Sequence, residues 1–249
     1  MVSSKKLTDK TNNLFFSPET SSTNILLWQK LHEEKLPEGF VVYTDFQTAG
    51  KGQVGNSWES AAGENILFSL LLYPQHIAIE EHFLISQITS IGIKKMLDNY
   101  ISDVTIKWPN DIYWKEKKLA GILVETSLQN RIIKSAVIGV GLNVNQKEFL
   151  SDAPNPVSLF QILGKKLDRQ TLMNSIVQNI LDIYYHWDDN KIRSCYQQFL
   201  YRKEGYHLFE ADKEVFSAKI VGVLPSGQIE LATKEGVTKK FYFKEVKYL

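Results

Sequence analysis

A single cysteine, Cys195, stands in the whole 249-residue chain, so an internal disulfide is excluded and a reducing compartment suits the protein. No Cys/His spacing of a zinc site surrounds it, and its place in a helical stretch, Lys191 to Arg202, reads as a buried, inert thiol. A surplus of one charge is also missing. With 29 basic against 28 acidic residues the net charge is +1, which excludes a general pull toward nucleic acid or an anionic membrane, so any cationic site must be local. No apolar run approaches the roughly 20 residues that span a bilayer. Residues 1–13 are polar, lack the apolar centre of a secretory signal and are expected to form a flexible N-terminus. The expected location is the cytoplasm, without a membrane partner.

What is present is a globular composition, 43% hydrophobic and 23% charged, in a length that holds one sizeable core or a main domain with an appendage. Ser21-Ser22-Thr23-Asn24 precedes Ile25, Leu26, Leu27, Trp28 and Leu31, a capping cluster ahead of an amphipathic helix, whose N-terminus also attracts anions. Gly39 to Phe46 and Asn65 to Tyr73 read as strands, Ile79 to Tyr100 as a helix, and Val104 to Trp108 as a short strand stopped by Pro109. Ile112 to Trp114 and Leu119 to Thr126 form strands joined by the turn Lys115-Glu116-Lys117, and Ile132 to Val144 forms another. Helices follow at Val157 to Leu163 and Thr171 to Trp187. Beyond about Tyr201, short strands around Leu224-Pro225-Ser226-Gly227 suffice for a small barrel. The pattern predicts an α+β protein, a mixed and largely antiparallel sheet with helices on one side. The expected division is a main domain over 14–200 and a small β-barrel over 201–249.

Three segments carry chemistry. Gln47-Thr-Ala-Gly-Lys-Gly-Gln-Val-Gly-Asn-Ser-Trp58 joins two strands with three glycines, and glycine lets successive N–H groups converge on an anion. Lys51 supplies charge and Trp58 a flat face for a purine or an apolar ligand; a plain surface turn is the alternative. In Lys107-Trp-Pro-Asn-Asp111 the proline ends strand pairing, so Asn110 and Asp111 are expected at a bend rather than in a ladder. The hairpin then returns Lys118 beside Asp111, either as part of one cavity with Lys107 or as an ordinary surface ion pair. Gly121 in mid-strand points to space needed by a ligand. Gly139-Val-Gly-Leu-Asn-Val-Asn145 ends a strand with small residues, and Asn143 suits a ribose, a phosphate, a metal-bound water or the cap of a turn.

Together with Ser-Ser-Thr-Asn and Lys118-Leu-Ala-Gly-Ile-Leu-Val-Glu125, these segments, in this order, resemble the signature of bacterial biotin protein ligases. The likeness runs from about residue 14 to the C-terminus. It implies a class II aminoacyl-tRNA synthetase-like catalytic fold with an SH3-like C-terminal barrel. It also implies an ATP-dependent biotin–[acetyl-CoA-carboxylase] ligase, which forms biotinyl-5′-AMP and transfers biotin to a lysine of a biotin carboxyl carrier protein. ATP, biotin and Mg2+ are the implied small molecules. The resemblance assigns biotin binding to Ser22, Thr23, Asn24, Gln47, Gly50, Lys51, Gly52, Gln53, Lys118 and Gly121. It assigns ATP binding to Lys51, Gln53, Trp58, Lys107, Asn110 and Asn143, and catalysis to Lys118, Lys51 and Asp111, with Asp111 also a candidate magnesium ligand. Only about 20 residues precede the first motif, too few for a helix-turn-helix domain, so a short form without DNA binding is expected, as a monomer or weak homodimer.

The rival readings are a lipoate or octanoate ligase-type acyltransferase, whose run of arginines followed by three glycines is missing here, and a catalytically silent biotin or nucleotide binder. The loop itself departs from the family. Relatives commonly read Gly-Arg-Gly-Arg-x-Gly-Arg-x-Trp, whereas Lys51, Gln53 and Asn56 stand at those arginines, leaving one ammonium and two uncharged amides. Fewer charge-assisted contacts predict a looser hold on the adenylate. Gln53→Arg is expected to slow stopped-flow release of biotinyl-adenylate by about tenfold; equal off-rates contradict this.

Overall fold

The computed structural model describes residues 13–53, 55–151 and 154–249. The expected flexible N-terminus thus lies outside the described residues except for Asn13, whose carbonyl accepts from Val41 N–H (2.8 Å). The chain forms β1 (Leu14–Thr20), α1 (Thr23–Glu33), β2 (Val41–Gln47), β3 (Ile66–Leu72), a 3-10 turn Ile79–Glu81 and α2 (Phe83–Leu97). Then come β4 (Val104–Lys107), β5 (Asp111–Trp114), β6 (Lys117–Gln129), β7 (Ile132–Leu142), α3 (Leu159–Leu163), α4 (Arg169–His186) and α5 (Asp189–Gln198). The last five strands are β8 (His207–Ala211), β9 (Glu214–Val223), β10 (Ile229–Thr233), β11 (Thr238–Phe241) and β12 (Lys247–Tyr248).

Seven strands make one sheet in the order β1-β2-β3-β7-β6-β5-β4, antiparallel throughout except for the parallel pair β1 and β2. That pair needs a crossover, and α1 provides it. Strand β1 escapes sequence reading because Pro18 breaks its pattern, and proline is tolerated there because β1 is an edge.

Every residue of β3 is buried, which requires cover on both faces. Alternation divides the core accordingly. Val41, Leu70, Leu72 and Ile138 pack with α2, α4 and α5 on one face. Val42, Leu71 and Val137 pack with Leu27 of α1 on the other. The expectation of helices on one side therefore holds for α2, α4 and α5 and is corrected for α1, which the parallel crossover carries to the opposite face.

The C-terminal strands form a five-stranded antiparallel sheet, β11-β10-β9-β8-β12, where a small barrel is expected. Its Phe209, Ile220, Ile229 and Val246 belong to the same apolar cluster as α2. The connection runs along the β4 edge, where Ile106 N–H donates to Phe199 O (2.8 Å) and Tyr201 N–H to Ile106 O (2.9 Å), and Trp108 Nε1 donates to Gly227 O (2.8 Å). This arrangement seats the second sheet beside the turn that follows β4. No helix among the described residues is long and apolar enough to cross a membrane.

Helix α2 is buried along nearly its whole length, and it meets α4 closely at Gly92, where a β-carbon would fall 2.6 Å from Ile180 Cγ1 and 3.0 Å from Ile180 N. Gly92→Ala is expected to cost about 1–3 kcal/mol in urea unfolding, and less when made in an Ile180→Ala background, which removes the crowded Cγ1; an unchanged midpoint would contradict this packing.

Candidate active site

The face of the main sheet that carries α1 has a bare patch. Lys107, Asp111, Gly121, Gly141 and Leu67 stand side by side across β4, β5, β6, β7 and β3, and one row along, Leu123, Gly139 and Ser69 do the same. Glycine at three central positions removes the side chains that would fill this face. A cavity of about 380 Å3 lies over them, of the size that takes a small organic ligand. Trp58 rests on this floor: a β-carbon on Gly141 would lie 2.5 Å from its Cε2, and one on Gly121 2.9 Å from its Cζ3. The indole N–H is buried and has no hydrogen-bond partner, an arrangement that costs about 1–3 kcal/mol. The space expected for a ligand at Gly121 is thus covered by the aromatic residue of the glycine loop.

At one end the cavity is lined by amides and hydroxyls. Ser22 occupies the N-cap of α1, but its side chain makes no capping bond. Gln47 Oε1 caps the helix from β2 instead, accepting from Thr23 N–H (2.8 Å) and Thr23 Oγ1 (3.2 Å). Ser69 Oγ lies 2.8 Å from Thr23 Oγ1 and 2.6 Å from Asn24 Oδ1. Asn24 Nδ2 and Trp28 Nε1 both donate to Glu125 Oε2 (2.9 and 3.1 Å). Gly139 makes room for this, since a β-carbon there would fall 2.5 Å from Asn24 Oδ1. The result is a largely buried set of donors and acceptors fixed by three strands and a helix. Ser69, Glu125, Trp28, Gly139 and Gly141 are absent from the sequence-based site. The signals were a lone serine inside Ile66–Leu72 and a lone carboxylate inside the apolar run of β6.

The opposite end carries charge. Lys118 Nζ pairs with Asp111 Oδ1 at 2.7 Å and stands 5.6 Å from the Trp58 ring centroid. Its orientation comes from an irregularity: β5 and β6 pair Ile112 with Ala120 but Tyr113 with Lys118, leaving Leu119 as an extra residue. Leu119 and Ala120 both point into the α2 core, and the bulge returns Lys118 to the cavity face, a common use of bulges. Segment 155–157 holds this position through Lys118 N–H to Asn155 O and Val157 N–H to Lys118 O (both 2.9 Å). Asp111, expected at a bend, is instead the first ladder residue of β5, opposite Lys107 and Gly121. The strand interruption lasts only through Trp108, Pro109 and Asn110, because pairing restarts directly across from Lys107.

Lys107 is boxed by aromatics, 4.6, 5.2 and 5.5 Å from the ring centroids of Tyr113, Tyr248 and Tyr201, and donates to Tyr113 Oη (3.1 Å). Burial pushes its pKa below the ordinary lysine value, with Asp111 opposing. Two of those rings come from beyond residue 200, and Phe243, Val246, Lys247 and Tyr248 also line the cavity, so the second sheet forms one of its walls.

Of the residues singled out from sequence, Ser22, Thr23, Asn24, Gln47, Lys51, Gly52, Gln53, Trp58, Lys107, Asn110, Asp111, Lys118 and Gly121 line this one cavity. Two are not among them. Gly50 shapes the loop, its carbonyl accepting from Trp58 N–H (3.0 Å). Asn143 is buried beneath, with Nδ2 donating to Val157 O (3.1 Å). Asn110 lines the cavity yet is also a clamp, since Nδ2 donates to Ile122 O (2.6 Å). Burial raises the Cys195 thiol above its usual range, in keeping with an inert side chain.

Glu125 is the shared acceptor of the polar end. Glu125→Ala, which strands the Asn24 amide and the Trp28 indole N–H, is expected to lower stability by about 1–3 kcal/mol in urea, and Glu125→Gln by less. A change within about 0.5 kcal/mol, ordinary for surface positions, would contradict the network.

The chain matches the model of the Biotin/lipoate A/B protein ligase family over residues 16–143, the stretch that holds the glycine loop, Lys118 and the bare floor. It is 30% identical over 230 residues to the Bifunctional ligase/repressor BirA of Bacillus spizizenii, covering 87% of this chain and 68% of that protein. It is 27% identical over 173 residues to the Biotin–[acetyl-CoA-carboxylase] ligase of Mycobacterium tuberculosis, covering 68% and 63% respectively. The solved structure of biotin protein ligase from Aquifex aeolicus in complex with biotin and ATP superposes with a TM-score of 0.77 at 24% identity, over 96% of this chain and 100% of that one, which shows the shared fold. The chain belongs to the biotin/lipoate A/B protein ligase family.

Proposed function

We propose that this protein is a biotin protein ligase that activates biotin with ATP as biotinyl-5′-adenylate and transfers the biotinyl group to a lysine of a biotin carboxyl carrier domain. The observation that carries the reading is the pairing of two unlike ends on one glycine floor. One end is an amide and hydroxyl pocket, and the other is Lys118 held 2.7 Å from Asp111. A cyclic urea needs donors and acceptors together, which Thr23, Asn24, Gln47 and Ser69 offer. The dithiolane of a lipoyl group offers neither, so it cannot exchange hydrogen bonds with these groups. The pocket therefore favours biotin over the lipoate alternative.

Adenylate formation joins two anions: the biotin carboxylate attacks the α-phosphate of ATP, the acyl–phosphate bond forms and pyrophosphate leaves. Fixed cations reduce the repulsion. Lys118 fills this role at the floor, with Asp111 fixing its position, and Lys51 brings a second ammonium with the loop. Magnesium enters as the counter-ion of the nucleotide. Among the described residues no cluster of three His, Cys, Asp or Glu side chains is placed to hold a metal, and Asp111 offers the single carboxylate with which a phosphate-carried Mg2+ is commonly shared. Where biotin lies over Gly121 and Gly141 the Trp58 indole moves off the floor, gains a partner for its N–H and faces the adenine. Its loop then shields the mixed anhydride from water. In the second step the acceptor lysine amine attacks the acyl carbon and AMP leaves, with Asp111 placed to orient that amine. In this reading residues 14–200 form the catalytic domain that supplies Lys118, Lys51 and Asp111, and residues 201–249 form a second unit that completes the site as one of its walls.

The test is incubation with MgATP, labelled biotin or lipoate, and a biotin carboxyl carrier domain. Biotin transfer is expected, falling by about 10²–10³-fold in Lys118→Ala and stopping on chelation of magnesium while biotin binding persists. Binding without turnover would support a silent binder, and transfer of lipoate alone the other acyltransferase.

A further inference from the structure

The polar end of the cavity has fewer protons than close contacts, and the shortage has a direction. Glu125 is a carboxylate, which accepts and does not donate, and its Oε2 accepts from both Asn24 Nδ2 and Trp28 Nε1. That contact fixes the Asn24 amide, with its NH2 group toward Glu125 and its Oδ1 toward Ser69. Ser69, fully buried in β3, has one hydroxyl proton for two neighbouring acceptors, Asn24 Oδ1 at 2.6 Å and Thr23 Oγ1 at 2.8 Å. The shorter contact takes it. Thr23 directs its own proton to Gln47 Oε1 (3.2 Å), an oxygen that also accepts Thr23 N–H and so has both lone pairs engaged. Thr23 Oγ1 is then the acceptor with an open lone pair. Thr23, Asn24 and Gln47 line the cavity, and Glu125 and Ser69 hold them from behind.

We infer that Glu125 is a positioning residue for ligand specificity: acting through Asn24 and Ser69, it keeps the Thr23 hydroxyl oxygen open to accept from a ring N–H of the cyclic urea. The inference rests on the biotin end of the proposed function and adds to it the groups that set the direction of the pocket's hydrogen bonds. Without an acceptor at position 125 the Asn24 amide is free to turn over, and its NH2 group then faces Ser69. Ser69 loses Asn24 as an acceptor, so its proton passes to Thr23 Oγ1 and occupies the lone pair that the ligand needs. This exchange requires no backbone movement. It replaces an open acceptor by an engaged one at the point where a ligand N–H arrives, and a polar group met by the wrong partner is a strong source of discrimination. Trp28 acts in the same sense, since its indole N–H is a second donor that favours an acceptor at position 125. The chain of contacts thus carries the polarity of one carboxylate to a hydroxyl two side chains away.

The test is calorimetric titration with biotin, without nucleotide, of the wild type, Glu125→Ala, Glu125→Met, Glu125→Gln, Ser69→Ala and the double variants that combine Ser69→Ala with each of the first two. Glu125→Ala and Glu125→Met, the second of which keeps the side-chain volume if the first fails to fold, are each expected to raise the Kd for biotin by about tenfold, the size of one hydrogen bond. Glu125→Gln stays within about twofold of the wild type, because both bonds fall on one oxygen and its carbonyl can supply it. In the Ser69→Ala background there is no proton to redirect, so Glu125→Ala and Glu125→Met add less than about twofold, a non-additivity that a merely structural role does not produce. An unchanged Kd in both Glu125→Ala and Glu125→Met, or a loss that persists in full without Ser69, would overturn the inference. Biotin-dependent ATP–pyrophosphate exchange in the wild type separates this from the ligase reading. A wild type that binds biotin without exchange would overturn the ligase and leave the inference standing, and one that binds no biotin would overturn both.

Discussion

A sheet covered on both faces leaves no room for a ligand unless side chains are missing from it. Here the missing groups are the β-carbons of Gly121, Gly139 and Gly141, and the rest of the site depends on their absence. Any larger residue at Gly141 would collide with an indole or with whatever replaces it, since the clearance is 2.5 Å. The strands around the patch are otherwise filled with leucine, isoleucine and valine, each contributing about 1.5–3 kcal/mol by burial. The floor is therefore rigid because its surroundings are packed, and open because three positions are bare.

The two ends of the floor are built by different means. The polar end uses residues distant in sequence, Thr23 and Asn24 on α1, Gln47 on β2, Ser69 on β3 and Glu125 on β6, each satisfied by another. The charged end depends on a single extra residue in β6. Without the bulge at Leu119, alternation would send Lys118 into the α2 core beside Ile122. With it, the ammonium meets Asp111 and faces the cavity. Lys107 plays a different part: enclosed by three tyrosines and partly desolvated, it ties the turn after β4 to the second sheet. The wall formed by residues 243–248 thus belongs to the site as much as the main sheet does.

Much of this was legible in the chain before any coordinates. The glycine loop, Lys107 to Asp111, Lys118 and Gly121 carry unusual residue types in short segments, and of the site residues assigned from sequence the structure gathers all but Gly50 and Asn143 around one cavity. Ser69 and Glu125 were hidden because each is one polar residue in an apolar strand, and their partners lie far away in sequence. The bulge was hidden because register is a property of two strands. The strand β1 was obscured by Pro18, and the place of α1 opposite the other helices follows from its parallel crossover.

The central claim is that adenylate chemistry takes place on the floor of Gly121 and Gly141, beneath a tryptophan that yields its place. Its most direct test is a crystal structure of the protein with biotin and ATP. The account predicts the biotin rings over these two glycines, the ureido group on Thr23, Asn24 and Gln47, the acyl–phosphate junction at Lys118, and the Trp58 indole displaced from the floor. A ligand bound elsewhere, with Trp58 still lying on Gly121 and Gly141, would contradict it.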